Sequence, residues 1–180
     1  MVYILLENGF EICEAMAPVD ILRRAGVNVM TVGISGQMVT SSHGIPVCAD
    51  ITFDKMDVSD IEMLIIPGGQ PGVDNLWENE RVRDFVFETA KRKIKISAIC
   101  AAPMILARLG ILSGHRCTCY PSYSAELPEE GYNIGCGVVR DGSIITARAA
   151  ADAYDFAFEI LSVLRGEETA ATVKRAICYE

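Results

Sequence analysis

The chain has 180 residues, 51% of them hydrophobic, with a formal net charge of −8. A chain of that size buries about two thirds of the surface that its unfolded form exposes, which fits one globular domain over residues 1–180 and excludes a disordered one. No apolar run reaches the ~20 residues a membrane span needs, and an acidic chain is a poor match for nucleic acid or an anionic membrane surface.

Along the chain, Val2 to Leu6 is an apolar run of strand formers. A helix is predicted over 11–25, with Gly26 as its stop. A second strand spans 27–34, in which Val27, Val29, Thr31 and Gly33 alternate against the rest. Residues 37–48 alternate around "SSHG" and predict a small hairpin. "IEMLIIPGG" reads as a buried strand entering a Gly-Gly turn, and 79–92 as a charged amphipathic helix. "IKISAIC" is the next strand, followed by a helix over about 102–108. "VVRDGSIIT" predicts a hairpin with Asp141-Gly142 at its tip. Two helices, 152–165 and 167–178, close the chain. Strands that alternate with helices and are apolar throughout predict a mostly parallel sheet covered on both faces.

Seven cysteines (13, 48, 100, 117, 119, 136 and 178) are scattered and odd in number. The chain's opening residues read as a strand and not as an export signal. Together these point to a reducing cytoplasm and against a disulfide framework. His115, Cys117 and Cys119 are close in sequence, but no second pair accompanies them. They are read as core thiols, and no metal is expected.

In an open parallel sheet, ligands bind beyond the carboxyl ends of the strands. Three joints fall there: Asn8-Gly9, Pro67-Gly68-Gly69 and Cys100. A side chain on a sharp strand-to-helix turn projects above the sheet edge, beside the helix's first amides. A thiol so placed is predicted to have a lowered pKa and to act as a nucleophile. The other reading of Cys100 is a buried core thiol. The alpha/beta-hydrolase elbow uses the same turn with serine flanked by glycines; here Ala98, Ala101 and Ala102 keep the joint small. Glu14 falls on the apolar stripe of its helix beside Ala17, Pro18, Ile21 and Ala25. A carboxyl in that setting has its pKa raised, and Glu14 is predicted to exchange a proton with the thiol. Gly68 and Gly69 would let backbone N–H groups form an oxyanion hole with the Ala101 amide. The six other cysteines are predicted to lie mostly in strands or on apolar faces.

"GFEICEAMAPVDILRRAGVNVMTVGISG", "MLIIPGGQPGVDNL", "ISAICAAPMILARLGILSG" and "DGSIITARAAADAYDFAFEILSVLRGEETAATV" together resemble the ThiJ/PfpI family, and within it DJ-1-like proteins, over essentially the whole chain. The resemblance implies a flavodoxin-like three-layer α/β sandwich and a homodimer. It places the family's reactive cysteine at Cys100, its glutamate at Glu14 and its amide donors at Gly69 and Ala101. It implies a cofactor-independent, cysteine-dependent enzyme acting on small 2-oxoaldehydes, converting methylglyoxal to lactate in the manner of a glyoxalase III or a deglycase. The alternative is a cysteine-oxidation sensor or a chaperone. Two departures stand out. Tyr120 replaces the histidine that some relatives set near the cysteine, which speaks against a peptidase. "AAAD", residues 149–152, replaces the family's Gly-Pro-Gly-Thr and alters a wall of the pocket. His43 aligns where relatives carry an arginine that approaches the partner subunit's cysteine, so an in-trans role is expected of it.

Overall fold

The computed structural model describes residues 1–133 and 135–179. The elements run β1 (Val2–Leu6), α1 (Ile12–Arg24), β2 (Val29–Gly33), β3 (Met38–Thr40), β4 (Pro46–Cys48), β5 (Ile51–Thr52), β6 (Met63–Ile66), α2 (Gly72–Glu78), α3 (Glu80–Lys91), β7 (Lys95–Ile99), α4 (Pro103–Arg108), β8 (Val138–Asp141), β9 (Ile144–Ala147), α5 (Ala153–Arg165) and α6 (Glu167–Ala176). Seven strands form one sheet in the order β5-β2-β1-β6-β7-β9-β8, while β3 and β4 pair as a separate hairpin. Every pairing in the large sheet is parallel except β8 with β9.

Two hydrophobic layers account for the unbroken apolar strands. In β1, Val2, Ile4 and Leu6 face a core shared with Ile21 and Leu22 of α1, Phe156 and Leu161 of α5, and Val173 of α6. Tyr3 and Leu5 face the other core, with Leu76 of α2, Val86 of α3 and Ile105 of α4. Side chains alternate across a strand, so a strand buried on both faces shows no polar alternation in its sequence. The result is the expected three-layer α/β sandwich of flavodoxin-like form.

Two main-sheet and helical elements escaped the sequence reading. Strand β5 has two residues, too few to show a period. Helix α2 begins within "QPGVDNLWE", where Pro71 and Gly72 read as loop; its Val73 and Leu76 are anchored in the core. The predicted hairpins and the remaining helices are present within a few residues of the expected bounds. Among the described residues, no helix is long and apolar enough to cross a membrane.

Candidate active site

Three chain segments meet above the carboxyl ends of β1, β6 and β7. Helix α1 is fixed first. Glu11 caps it by accepting the Glu14 N–H at 2.8 Å, and the Glu11 N–H donates to the Gly68 carbonyl at 2.9 Å. The Gly68 N–H in turn donates to Glu14 Oε2 at 2.8 Å. The turn after β6 thus grips the helix at its backbone and at its one buried carboxylate. Glu14 is fully buried, on the same face as Ala17, Pro18 and Ile21.

Cys100 has φ 65, one of three non-glycine residues in the left-handed region among the described residues. Such a conformation costs about 1–2 kcal/mol for a residue with a Cβ and persists only where neighbouring contacts enforce it. Here the Cys100 N–H donates to the Ala147 carbonyl of β9 at 2.9 Å, and its carbonyl accepts the Tyr120 N–H at 2.8 Å. Both backbone groups are therefore tied, and the side chain is turned out of the strand. Ala101 and Ala102 behind it are buried, as the tight joint requires.

Gly68 stands between the two reactive groups. A Cβ at that position would lie 2.6 Å from Glu14 Oε2 and 2.7 Å from the Cys100 Cβ, so only glycine lets carboxyl and thiol approach. Gly69 has φ 96, and a side chain there would strike the Glu11 N–H.

The electrostatics correct two expectations. Burial raises the Glu14 pKa to about 7; its hydrogen bonds to Cys100 and Gly68 pull the other way. That agrees with the reading of the apolar stripe. The thiol, however, is not lowered. Burial pushes Cys100 up to about 12, and the charge of ionised Glu14 adds to it, while the amides of Ala101 and Gly69 work in the opposite sense. The helix behind the elbow has only six residues, from Pro103 to Arg108, and does not outweigh burial beside a second acid. Each charge opposes the other, so at neutral pH the pair keeps at least one proton between them. When Glu14 holds it, the repulsion vanishes and the carboxyl becomes a donor to sulfur. Among the described residues, Glu14 Oε1 is buried with no hydrogen-bond partner, so a protonated carboxyl leaves no buried charge there unanswered.

The second correction concerns Gly68. Its N–H is spent on Glu14, so the amides at the sulfur are those of Gly69 and Ala101. Tyr120 is joined to Cys100 through its backbone, and its ring is exposed. His43 sits at the exposed tip of the β3–β4 hairpin, where Ser42 Oγ lies 3.0 Å from its Nδ1. The hairpin is bound to the β1–α1 turn by the Gly9 N–H to Thr40 carbonyl and Ser42 N–H to Phe10 carbonyl bonds. Cys117 and Cys119 are buried core thiols, but Cys13, Cys48, Cys136 and Cys178 are exposed, contrary to expectation. The reason is local: Cys13 lies on the outer face of α1, and the other three lie on a peripheral strand, a loop and a terminal turn. Among the described residues, no group of three or more His, Cys, Asp or Glu could hold a metal.

One rim element was missed in the sequence. Arg148 follows β9, next to the Ala147 carbonyl that anchors Cys100, and forks onto Asp152 with contacts of 3.0 and 3.1 Å. Asp152 is buried and starts α5 from within "AAAD". The i, i+4 Arg-Asp spacing was the available signal.

A positive-φ cysteine at the carboxyl edge of a parallel sheet, opposite a buried carboxyl and two free amides, defines a nucleophile-elbow protein of the flavodoxin-like class. The DJ-1/PfpI family model matches residues 1–163, and the chain belongs to that family. It is 32% identical to protein dj-1beta of Drosophila melanogaster over 176 residues, covering 97% of this chain and 94% of that one. The crystal structure of Drosophila melanogaster DJ-1beta superposes with a TM-score of 0.94 at 31% identity, covering 99% and 97% of the two chains. A structure described as Toxoplasma gondii DJ-1, oxidized, superposes at 0.93 with 27% identity, covering 99% and 97%. A deglycase of Pyrococcus horikoshii is 28% identical over 165 residues, covering 91% of this chain and 99% of that one.

Proposed function

We propose that the protein is a cofactor-independent enzyme that converts small 2-oxoaldehydes to 2-hydroxy acids, methylglyoxal to lactate being the reference reaction. The observation that carries this reading is the Cys100–Glu14 pair: a thiol held out of its strand at φ 65, sharing a proton with a buried carboxyl whose pKa is about 7. A general acid–base works best when its pKa lies near the operating pH. The deglycase name of the Pyrococcus horikoshii relative supports the substrate class.

In the reaction, Cys100 sulfur adds to the aldehyde carbon, and Glu14 holds the former thiol proton once the C–S bond forms. The amides of Gly69 and Ala101 receive the developing oxyanion, which then takes the proton from Glu14 to give a hemithioacetal. The Glu14 carboxylate removes the hydrogen from the former aldehyde carbon, and a proton is returned at the adjacent carbon. This internal redox exchange leaves a 2-hydroxy thioester. Water cleaves the thioester, releasing the hydroxy acid and restoring the thiol. One water is consumed overall, and no external oxidant or reductant is needed. Purified protein should consume methylglyoxal and release lactate, and Cys100→Ser and Glu14→Gln should each abolish turnover. Lactate formation that survives Cys100→Ser would end this reading.

A second reading, oxidation sensing at Cys100, is favoured by the oxidized state named for the Toxoplasma gondii structure and by the half-buried position of the thiol. The working unit in either case is a homodimer. Ile12, Met16, Ala17 and Tyr154 line an apolar surface hollow of about 300 Å3, and Met38 and Ile45 of the hairpin are 61% and 48% exposed. A second subunit covering this face would bring His43 toward the partner's site. A monomer mass in light scattering at micromolar concentration refutes the dimer, and a Cys100 titration unchanged in His43→Ala refutes the in-trans histidine.

A further inference from the structure

A cavity of about 580 Å3 opens at the end of the sheet opposite Cys100. It lies where β7 and β9 begin and where α3 and α4 end. Ala90, Ile94, Ile96, Leu109, Ile111 and Ile144 make its apolar lining. Its size falls within the roughly 300–1,000 Å3 of small-molecule sites, which are mostly apolar with a few oriented polar groups.

Three cationic or titratable side chains also line it: Lys91, Lys93 and His115. Two are already engaged. Lys91 Nζ lies 2.8 Å from Glu88 Oε1, and His115 Nδ1 lies 3.6 Å from Asp141 Oδ2. Lys93 makes no ion pair among the described residues. It also occupies an unusual position. Its φ is 58, just past the Arg92 cap of α3. There its N–H donates to the Ala90 carbonyl at 2.9 Å and the Ile94 N–H donates to the Thr89 carbonyl at 3.2 Å. This is the left-handed helix-cap position at which glycine is favoured and a side chain is strained. A lysine therefore stands where the backbone asks for glycine, on an apolar cavity, in a chain of net charge −8.

We propose that this cavity binds a small amphipathic monocarboxylate, its hydrocarbon body among Ile94, Ile111 and Ile144 and its carboxylate on the Lys93 ammonium. One unpaired cation suits one negative charge. A phosphate dianion would need more donors, and the Asp141 carboxylate beside His115 repels a second charge. The site is separate from the thiol chemistry, since it is built on the opposite ends of β7 and α4.

The test uses the full chain with sodium octanoate, followed by calorimetry and by isoleucine methyl shifts. Octanoate should bind once and saturably, shifting Ile94, Ile111 and Ile144, while 1-octanol should bind about tenfold more weakly. Lys93→Gly should lower octanoate affinity about tenfold, to the level of octanol, without lowering the thermal midpoint, because glycine fits the cap. Cys100→Ser should bind octanoate as the native chain does. The proposal is overturned by absent saturable binding, by equal affinity for octanol, by full affinity in Lys93→Gly, or by shifts centred on the Cys100 end of the sheet.

Discussion

Replacing Glu14 by glutamine tests whether a buried carboxyl really keeps its proton to neutral pH. Glutamine preserves the shape and can still accept the Gly68 N–H, so packing changes little while the titration disappears. In the native chain the carboxyl pKa is raised from 4.5 to about 7 by burial. The folded state then binds more protons than the unfolded state between those values, so stability falls as pH rises through the window and stays low above it. Carrying 4.5 and 7 through the linkage relation gives a loss of about 2–3 kcal/mol between pH 5 and pH 8 from this one group. The Cys100 thiol, pushed up to about 12, stays protonated across the range and adds nothing. Urea unfolding of the native chain and of Glu14→Gln, in parallel from pH 5 to pH 8, isolates the term, because all other titrating groups cancel in the difference. The variant should gain about 2–3 kcal/mol on the native chain across the series, while losing lactate formation throughout. A difference that stays flat within about 0.5 kcal/mol would mean that Glu14 ionises near its ordinary value, and the proton-sharing mechanism would fail with it.

Other consequences of the site are directly measurable. Gly68→Ala should leave the chain folded but lower turnover by about a hundredfold or more, because its Cβ would displace both Glu14 Oε2 and the Cys100 Cβ, which lie 2.6 and 2.7 Å away; near-native turnover would show that their spacing is not critical. At position 100 the usual stability order should invert: Cys100→Gly should be more stable than Cys100→Ala by about 1 kcal/mol in urea, since glycine relieves the φ of 65. Under graded peroxide the exposed cysteines compete for the first oxygen, but Cys100 should be the one that accumulates as the sulfinic acid, held by the elbow amides and protonated Glu14, and Glu14→Gln should weaken that accumulation. Peptide mapping that finds sulfinic acid accumulating at Cys13, Cys48, Cys136 or Cys178 in preference to Cys100 would remove the claim that the elbow holds a sulfinate, and all four are exposed enough to compete.

The layers and the address of the site are legible in the amino-acid pattern alone. Apolar runs without alternation at 2–6 and 63–66 specify strands buried on both faces, because side-chain direction alternates along a strand whatever lies around it. The stripe of Glu14, Ala17, Pro18 and Ile21 specifies a buried acid by the same kind of periodicity. The small residues around Cys100 specify a tight joint. The interactions between groups distant in the chain emerge only once the chain is folded. Gly68 and Glu14 are 54 positions apart, so nothing local could reveal that the Gly68 amide serves the carboxylate and leaves Gly69 and Ala101 to the sulfur. The thiol's pKa likewise follows from desolvation and from a charge on another helix, both properties of the assembled fold. The exposure of Cys13, Cys48, Cys136 and Cys178 was decided there too, since a residue's own type does not say which face of an element its neighbours will cover.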